Sequence, residues 1–372
     1  MIATYSIPRG VWWLVGLYLF VAGLFYLCLA NPSLEGDLPI PMYSDALMYE
    51  TMAKQAVNVN DLVGLSVNQL GPYLILNALD FSHDAIFALN CLLFMVSCAI
   101  LFRIPQISPL RIFALLAFNP LIFFSLFSLN KEMFSLPLVA LMALYWCEGE
   151  VHRRFFLIAI LLSPLVRWQL TLFTLVAYGL AARWNPLRKL RFMQILALLL
   201  LMSIAIPLSA PYTTSLMDTT RVAALFDYAE DRSGAYRFLN DLQMYPLGYA
   251  IAFLPKAFHL IYGLPSRMYN LFEWADFWNT FVLTLYATML GVVLLVVLCS
   301  TRFKLRDNLI FMAMVYLVLF TSSPVYAPRY LLPVYILLTI VLSRRTRPPE
   351  AKRPELSNAS LQGASGEHLK CL

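Results

Sequence analysis

The chain has 372 residues, of which 60% are apolar and only 13% charged, whereas an ordinary soluble domain is about 45–50% apolar and about 25% charged. No water-soluble core hides that much apolar surface, so the composition excludes a soluble globular protein and predicts an all-α, polytopic transmembrane helix bundle. The net charge of +6 resides largely in short clusters between apolar runs, Arg183 to Arg191, Arg302 to Arg306 and Arg344 to Arg353, a layout that marks cytoplasmic loops and not a nucleic-acid surface.

Taken in chain order, Val11 to Ala30 is about 20 residues, long enough for a hydrocarbon core of about 30 Å and too long for a signal-peptide core of about 7–15 residues. It reads as a retained first span leaving the cytoplasm. The segment from residue 31 to 83 is then external. Within it Leu62 to Asp80 is interrupted by Asn68, Gln69, Gly71, Pro72 and Asn77, and reads as interfacial or re-entrant. Further spans are expected over Asp84 to Phe102, Pro109 to Ser128 and Met133 to Trp146. His152, Arg153 and Arg154 precede Phe155 to Ala182, and Arg183 to Arg191 follow it. With both flanks cytoplasmic, those 28 or so residues fit two short helices meeting near Ser163, Pro164 and Arg167, as a hairpin covered by protein or lining a watery cavity.

Phe192 to Pro211 then leads to a second external segment, residues 212 to 278. Its apolar, aromatic stretch Met244 to Tyr262 reads as a helix on the membrane surface. Asn279 to Ser300, Asn308 to Ser322 and Pro328 to Leu342 complete about eight full spans plus the hairpin. Residues 1–343 form one transmembrane domain, and 344–372 a Pro-, Ser- and charge-rich cytoplasmic tail expected to be disordered. The six cysteines lack metal-ligand spacing, and neither a phosphate-binding loop nor a dinucleotide fingerprint is present, so no metal or cofactor is expected.

Charged side chains flanked by apolar sequence are costly in a bilayer, about 2.5–3.5 kcal/mol at its centre, and mark the candidate site. In Tyr43-Ser44-Asp45-Ala46-Leu47-Met48-Tyr49, helical spacing sets Asp45 and Tyr49 on one face. Asp45 serves either as a carboxylate that activates a hydroxyl or as an ordinary helix cap. Asn130-Lys131-Glu132 joins two apolar spans almost without a loop; it is either the wet tip of a hairpin or a phosphate contact. Arg167, at the break of the helical pair, calls for a carboxylate or an anionic ligand as partner. Arg329, beside Tyr330 in Pro328-Arg329-Tyr330-Leu331-Leu332-Pro333, is either an interfacial anchor or a bidentate grip on a lipid phosphate. Lys256 and Arg267 are either anchors or headgroup contacts.

This layout resembles the GT-C superfamily of polytopic membrane glycosyltransferases, which includes the protein mannosyltransferases and aminoarabinose transferases. The similarity rests on the Tyr-Ser-Asp-Ala-x-x-Tyr external segment, the Asn-Lys-Glu link, the Arg in a broken helical pair and the Pro-Arg-Tyr-x-x-Pro span. It implies a polyprenyl-phosphate-linked sugar as donor and a lipid or glycan as acceptor. It further implies Asp45 as the catalytic carboxylate, Arg329 as a phosphate contact and a site outside the cytoplasmic membrane, in cell-envelope assembly. Many members carry two adjacent acids where this chain has Asp45 between Ser44 and Ala46. An O-antigen-type polymerase with Arg167 and Arg329 on two lipid carriers, and a non-enzymatic transporter or flippase, are the other classes these residues admit.

Overall fold

The computed structural model describes residues 8–30, 43–55, 67–182, 184–227, 234–262, 277–300, 303–323 and 328–345. Among them the chain is helical, and its one strand-like pairing is an isolated bridge between Ile107 and Arg344. The helices are α1 (Arg9–Phe25, continued by a π turn Tyr26–Ala30), α2 (Tyr43–Gln55), α3 (Val67–Ala78), α4 (His83–Leu101), α5 (Pro109–Ala117), α6 (Pro120–Phe124) and α7 (Lys131–Glu148). They are followed by α8 (Arg153–Ala181), α9 (Arg191–Asp227), α10 (Gly234–Leu242), α11 (Gly248–Tyr262), α12 (Phe277–Cys299), α13 (Asn308–Thr321) and α14 (Leu332–Ser343).

By length and composition alone, five helical segments among the described residues, Arg9–Cys28, His83–Leu101, Arg153–Ala181, Arg191–Ser209 and Thr280–Cys299, are long and apolar enough to cross a membrane, the third of them folded back on itself; Asn308–Thr321 and Pro328–Ser343 are shorter apolar helices. The two shorter ones are buried on nearly every side and form the centre of the bundle. The long ones ring it and turn large apolar side chains outward, among them Trp13, Phe20, Leu201, Leu208 and Leu295. A band of that kind is stable facing lipid tails and not water.

One end of the bundle collects the basic loops. There Ser108 N donates to Ser343 O at 2.8 Å, Arg345 N to Gln106 O at 2.7 Å, and Arg191 reaches Leu305 O at 3.0 Å. The opposite end carries α2, α3, the start of α7 and the start of α14. A small cluster of Tyr49, Ala53, Leu76, Ile86 and Leu129 seats α2 and α3 on the first turn of α4 and the link before α7.

Helix α8 is a hairpin. A straight helix would set Phe156 and Tyr178 about 33 Å apart at about 1.5 Å per residue, yet their rings lie 5.6 Å apart and Tyr145 packs against both. The turn falls at Arg167, whose backbone is extended (φ −154°, ψ 106°), three residues after Pro164, which has no N–H to give the preceding turn. Ser163 Oγ and Thr171 Oγ1 staple the two arms at 2.6 Å. The 29 residues therefore leave the basic end and return to it, as their two basic flanks require. Helix α3 covers the turn so closely that a Cβ on Gly71 would stand 2.2 Å from the Leu165 carbonyl oxygen.

Two segments differ from their sequence reading. Pro109 to Ser128 is not one rod: α5 stops at Ala117, Asn119 accepts from Ile122 N as a cap, and Pro120 opens the short α6. Pro cannot donate backward, so the break falls where Asn and Pro are adjacent. Helix α11 does not simply lie on a surface. Ala250 N bonds Ser203 of α9 at 2.9 Å, Tyr249 O–H donates to Val318 O of α13, and Tyr262 O–H reaches Gly291 O of α12 at 2.7 Å. The helix crosses three neighbours on one face and leaves Ile251, Leu254 and Phe258 exposed on the other.

Candidate functional site

The α8 turn, the first turn of α7 and the short 3-10 turn Pro328–Leu331 before α14 meet at the end remote from the basic loops. Each is held there by its own chemistry. Asn90 of α4 gives its side-chain N–H groups to the carbonyls of Ser125, Leu126 and Ser128 at 2.9 to 3.3 Å. This fixes the link that feeds α7. Tyr316 of α13 donates to Leu170 O at 2.9 Å and bonds Thr174 Oγ1 at 2.6 Å, which fixes the second arm of α8.

At the meeting point Arg167 Nη2 lies 2.5 Å from Glu132 Oε1, with side-chain exposures of 10% and 3%. Glu132 stands in the first turn of α7, where the helix dipole favours a carboxylate. Arg329 is buried and within electrostatic reach of Glu132. Tyr330 ties the two guanidiniums together: Arg167 lies over its ring at 4.4 Å and Arg329 at 5.5 Å. Lys131 stands over the ring of Tyr49 at 4.9 Å. Each contact of this kind is worth about 0.5–2 kcal/mol, more when desolvated.

Lys131, Arg167 and Tyr330 line a small cleft of about 50 Å³, together with Leu170, Phe173, Tyr316, Phe320 and Leu331. Three cations and the Glu132 carboxylate meet there, and low-dielectric surroundings strengthen every charge among them. The arrangement suits an anionic head with an apolar extension. Glu132, with Arg167 on it, orients that guanidinium and is not a free base.

The structure thus brings together Tyr49, Lys131, Glu132, Arg167, Arg329 and Tyr330. Asn130 is adjacent but turned inward: it is buried, its amide N–H meets Ser128 Oγ at 2.6 Å, and its Oδ1 has no donor among the described residues. Lys256 is elsewhere, fully buried in α11, with its ammonium 2.8 Å from Gln243 Oε1 and 2.8 Å from Ser323 O. There it holds the C-terminal end of α13, whose last carbonyls favour a cation. Asp45 belongs to α2, one turn before Tyr49, and its side chain lies outside the described residues, as does Arg267 altogether. Sequence reasoning passed over Glu50, next to Tyr49 and buried, which pairs with His83 at 3.7 Å and Lys54 at 3.9 Å. It also passed over Gln169, Phe173 and Tyr316, which line the cleft. A carboxylate directly after Tyr49 was the available signal for the first; the aromatic lining is indistinguishable from core in sequence. Among the described residues no group of three or more His, Cys, Asp or Glu is placed to hold a metal. Neither a protein-family model, nor a curated protein, nor a solved structure matches this chain.

Proposed function

We propose that this protein is a multi-pass membrane glycosyltransferase of GT-C type, moving a sugar from a polyprenyl-phosphate carrier to a lipid or glycan acceptor at the membrane face opposite its basic loops. On this reading about eight spans and the α8 hairpin cross a bacterial inner membrane, and the cleft opens to the periplasm or exterior. The observation that carries it is the gathering of Arg167 and Arg329 around Glu132 and Tyr330, with Lys131, Arg167 and Tyr330 on the wall of an aromatic, apolar cleft. A lipid phosphate is an anion on a hydrocarbon chain, and both halves find complementary surface there.

In the reaction the leaving carrier phosphate gains negative charge as the sugar bond breaks. Arg167 and Arg329, oriented by Glu132 and the Tyr330 ring, stabilise that charge, and Lys131 adds to the field. Asp45, on the helix that seats Tyr49, is assigned as the base for the acceptor hydroxyl, by resemblance. Both guanidiniums converge on one ring, which favours a single carrier phosphate over the two separate carriers of a polymerase. A transporter is disfavoured by the position of the charges at one end of the bundle and not at mid-depth.

The test is glycan modification in membranes expressing Asp45→Asn or Arg329→Ala at normal abundance. Both variants are expected to abolish transfer of a single sugar. Unchanged modification in both overturns the assignment, a ladder of products supports the polymerase, and solute flux that persists in Asp45→Asn supports the transporter.

A further inference from the structure

Helix α11 is tied to three neighbours, and its ties to α13 fall on the end of that helix nearest the candidate site. The last four carbonyls of an α-helix have no partner within it. In α13, which ends at Thr321, the Leu319 and Phe320 carbonyls are met locally, by Ser322 Oγ at 2.7 Å and Ser323 N at 2.9 Å. The Val318 carbonyl accepts instead from Tyr249 O–H, and the Ser323 carbonyl, two residues past the helix, from the Lys256 ammonium at 2.8 Å. Tyr249 and Lys256 stand two turns apart on one face of α11. The loop before α11 aims that ammonium. Leu247 holds a left-handed backbone (φ 61°), and Gly248 sits so near the end of α10 that a Cβ there would stand 1.8 Å from the Leu242 carbonyl oxygen. The chain doubles back tightly enough to set buried Gln243 beside Lys256, with its Oε1 2.8 Å from Nζ.

Capping a helix C-terminus does not call for this arrangement. An exposed lysine serves that purpose, whereas burying an ammonium against neutral acceptors is expensive. What the end of α13 carries supplies the reason. Phe320, in its last turn, meets the Tyr330 ring edge-on at 5.4 Å, and both rings line the cleft. Tyr330 in turn lies under Arg167 at 4.4 Å and Arg329 at 5.5 Å. A shift in the last turn of α13 moves Phe320, and with it the ring on which both guanidiniums rest.

We infer that Lys256 is a positioning residue for phosphate binding: with Tyr249 it fixes the last turn of α13, and through Phe320 and Tyr330 it sets where Arg167 and Arg329 stand. The inference rests on the reading of that cleft as a lipid-phosphate site. It adds that α11, none of whose residues is in the described lining of the cleft, controls the affinity of the cleft from a distance.

The test titrates farnesyl phosphate into the full chain in phosphatidylcholine nanodiscs and follows thermal unfolding of the same samples. Arg329→Ala removes a guanidinium of the site itself; it is expected to weaken binding and so reports on the underlying reading. Lys256→Met and Tyr249→Phe cut the ties to α13 and are each expected to weaken binding about fivefold, the scale of coupling through packed side chains. Ser203→Ala and Tyr262→Phe cut the ties of the same helix to α9 and α12. These two are expected to lower the unfolding temperature and leave affinity unchanged. Unchanged affinity in Lys256→Met and Tyr249→Phe, with Arg329→Ala still weakened, overturns the brace and leaves the phosphate site standing. Equal weakening by all four α11 variants also overturns it, because general loosening of the bundle then accounts for the loss. No binding by the parent chain removes site and brace together. Tyr249→Phe deletes one oxygen and keeps the ring, so it stays decisive if Lys256→Met does not fold.

Discussion

Two arginine–carboxylate pairs close the two ends of this bundle, and they differ in what surrounds them. Glu132 and Arg167 are 3% and 10% exposed, with a second guanidinium and an aromatic ring against them. Asp307 and Arg344 are 19% and 30% exposed and border an open polar cleft. The contrast teaches that the same chemical pair is a site component at one end and a surface clasp at the other. A buried ion whose partner is removed is left uncompensated, whereas water and salt replace the partner of an exposed one.

The largest expected effect follows directly. Glu132→Gln strands Arg167 among apolar helices and is expected to lower unfolding free energy by about 3–5 kcal/mol, measured by thermal or denaturant unfolding in detergent. The double variant Glu132→Leu with Arg167→Met is expected to regain most of that loss while failing to bind a lipid phosphate. A single-variant loss below about 1 kcal/mol, the range of exposed pairs, breaks the distinction between the two ends.

Next in size is Gly71→Ala. The new Cβ meets the Leu165 carbonyl, which is backbone two residues before Arg167 and has no side-chain freedom to yield. Overpacking of this kind costs about 1–3 kcal/mol, and here it also moves the α8 turn. A loss of phosphate affinity together with stability is the expected outcome, and lost stability at unchanged affinity separates the turn from the site.

How much of this was legible in the sequence depends on which physics set each feature. The apolar runs and the hairpin were readable, because positive loops on both flanks of Phe155 to Ala182 and a Pro164–Arg167 interruption leave the chain little choice but to turn back. The break at Asn119–Pro120 was written in two residues that cap and stop helices, but the surrounding run of apolar side chains masked it. The packing of helix α11 was not readable, because an amphipathic pattern reports one wet or lipid face and one packed face, and does not say that the packed face meets three other helices. Lys256 read as an interfacial anchor or a headgroup contact since its acceptors, Gln243 and Ser323, are separate in sequence and neutral. The site was readable as isolated charges at Lys131, Glu132, Arg167 and Arg329, each expensive where it stands. That Glu132 is the partner of Arg167, 35 positions away, belongs to tertiary packing alone.

At the basic end the expected effects are smaller and divisible. Arg344→Gln is expected to cost no more than about 1 kcal/mol, and less in 1 M salt, since the pair is partly solvated. Asp307→Ala removes the same pair and also the cap of α13, and is expected to cost about 1 kcal/mol more. Equal losses in the two variants, read by thermal unfolding at low and high salt, would mean that the cap contributes nothing. Salt insensitivity of Arg344→Gln would make this end as dry as the other.

The smallest effect is the most specific to the site. Tyr330 holds Arg167 and Arg329 over one ring, and its contribution is divided between the π face and the hydroxyl. Tyr330→Phe keeps the face, so phosphate affinity is expected to stay within about twofold of the parent; Tyr330→Leu keeps apolar volume without the face and is expected to weaken affinity by about 0.5–2 kcal/mol. Titration of inorganic phosphate or a short prenyl phosphate against both variants makes the comparison. If Phe and Leu fall equally, the hydroxyl and not the ring carries the contribution of Tyr330, and the π face of that ring does not orient the guanidiniums.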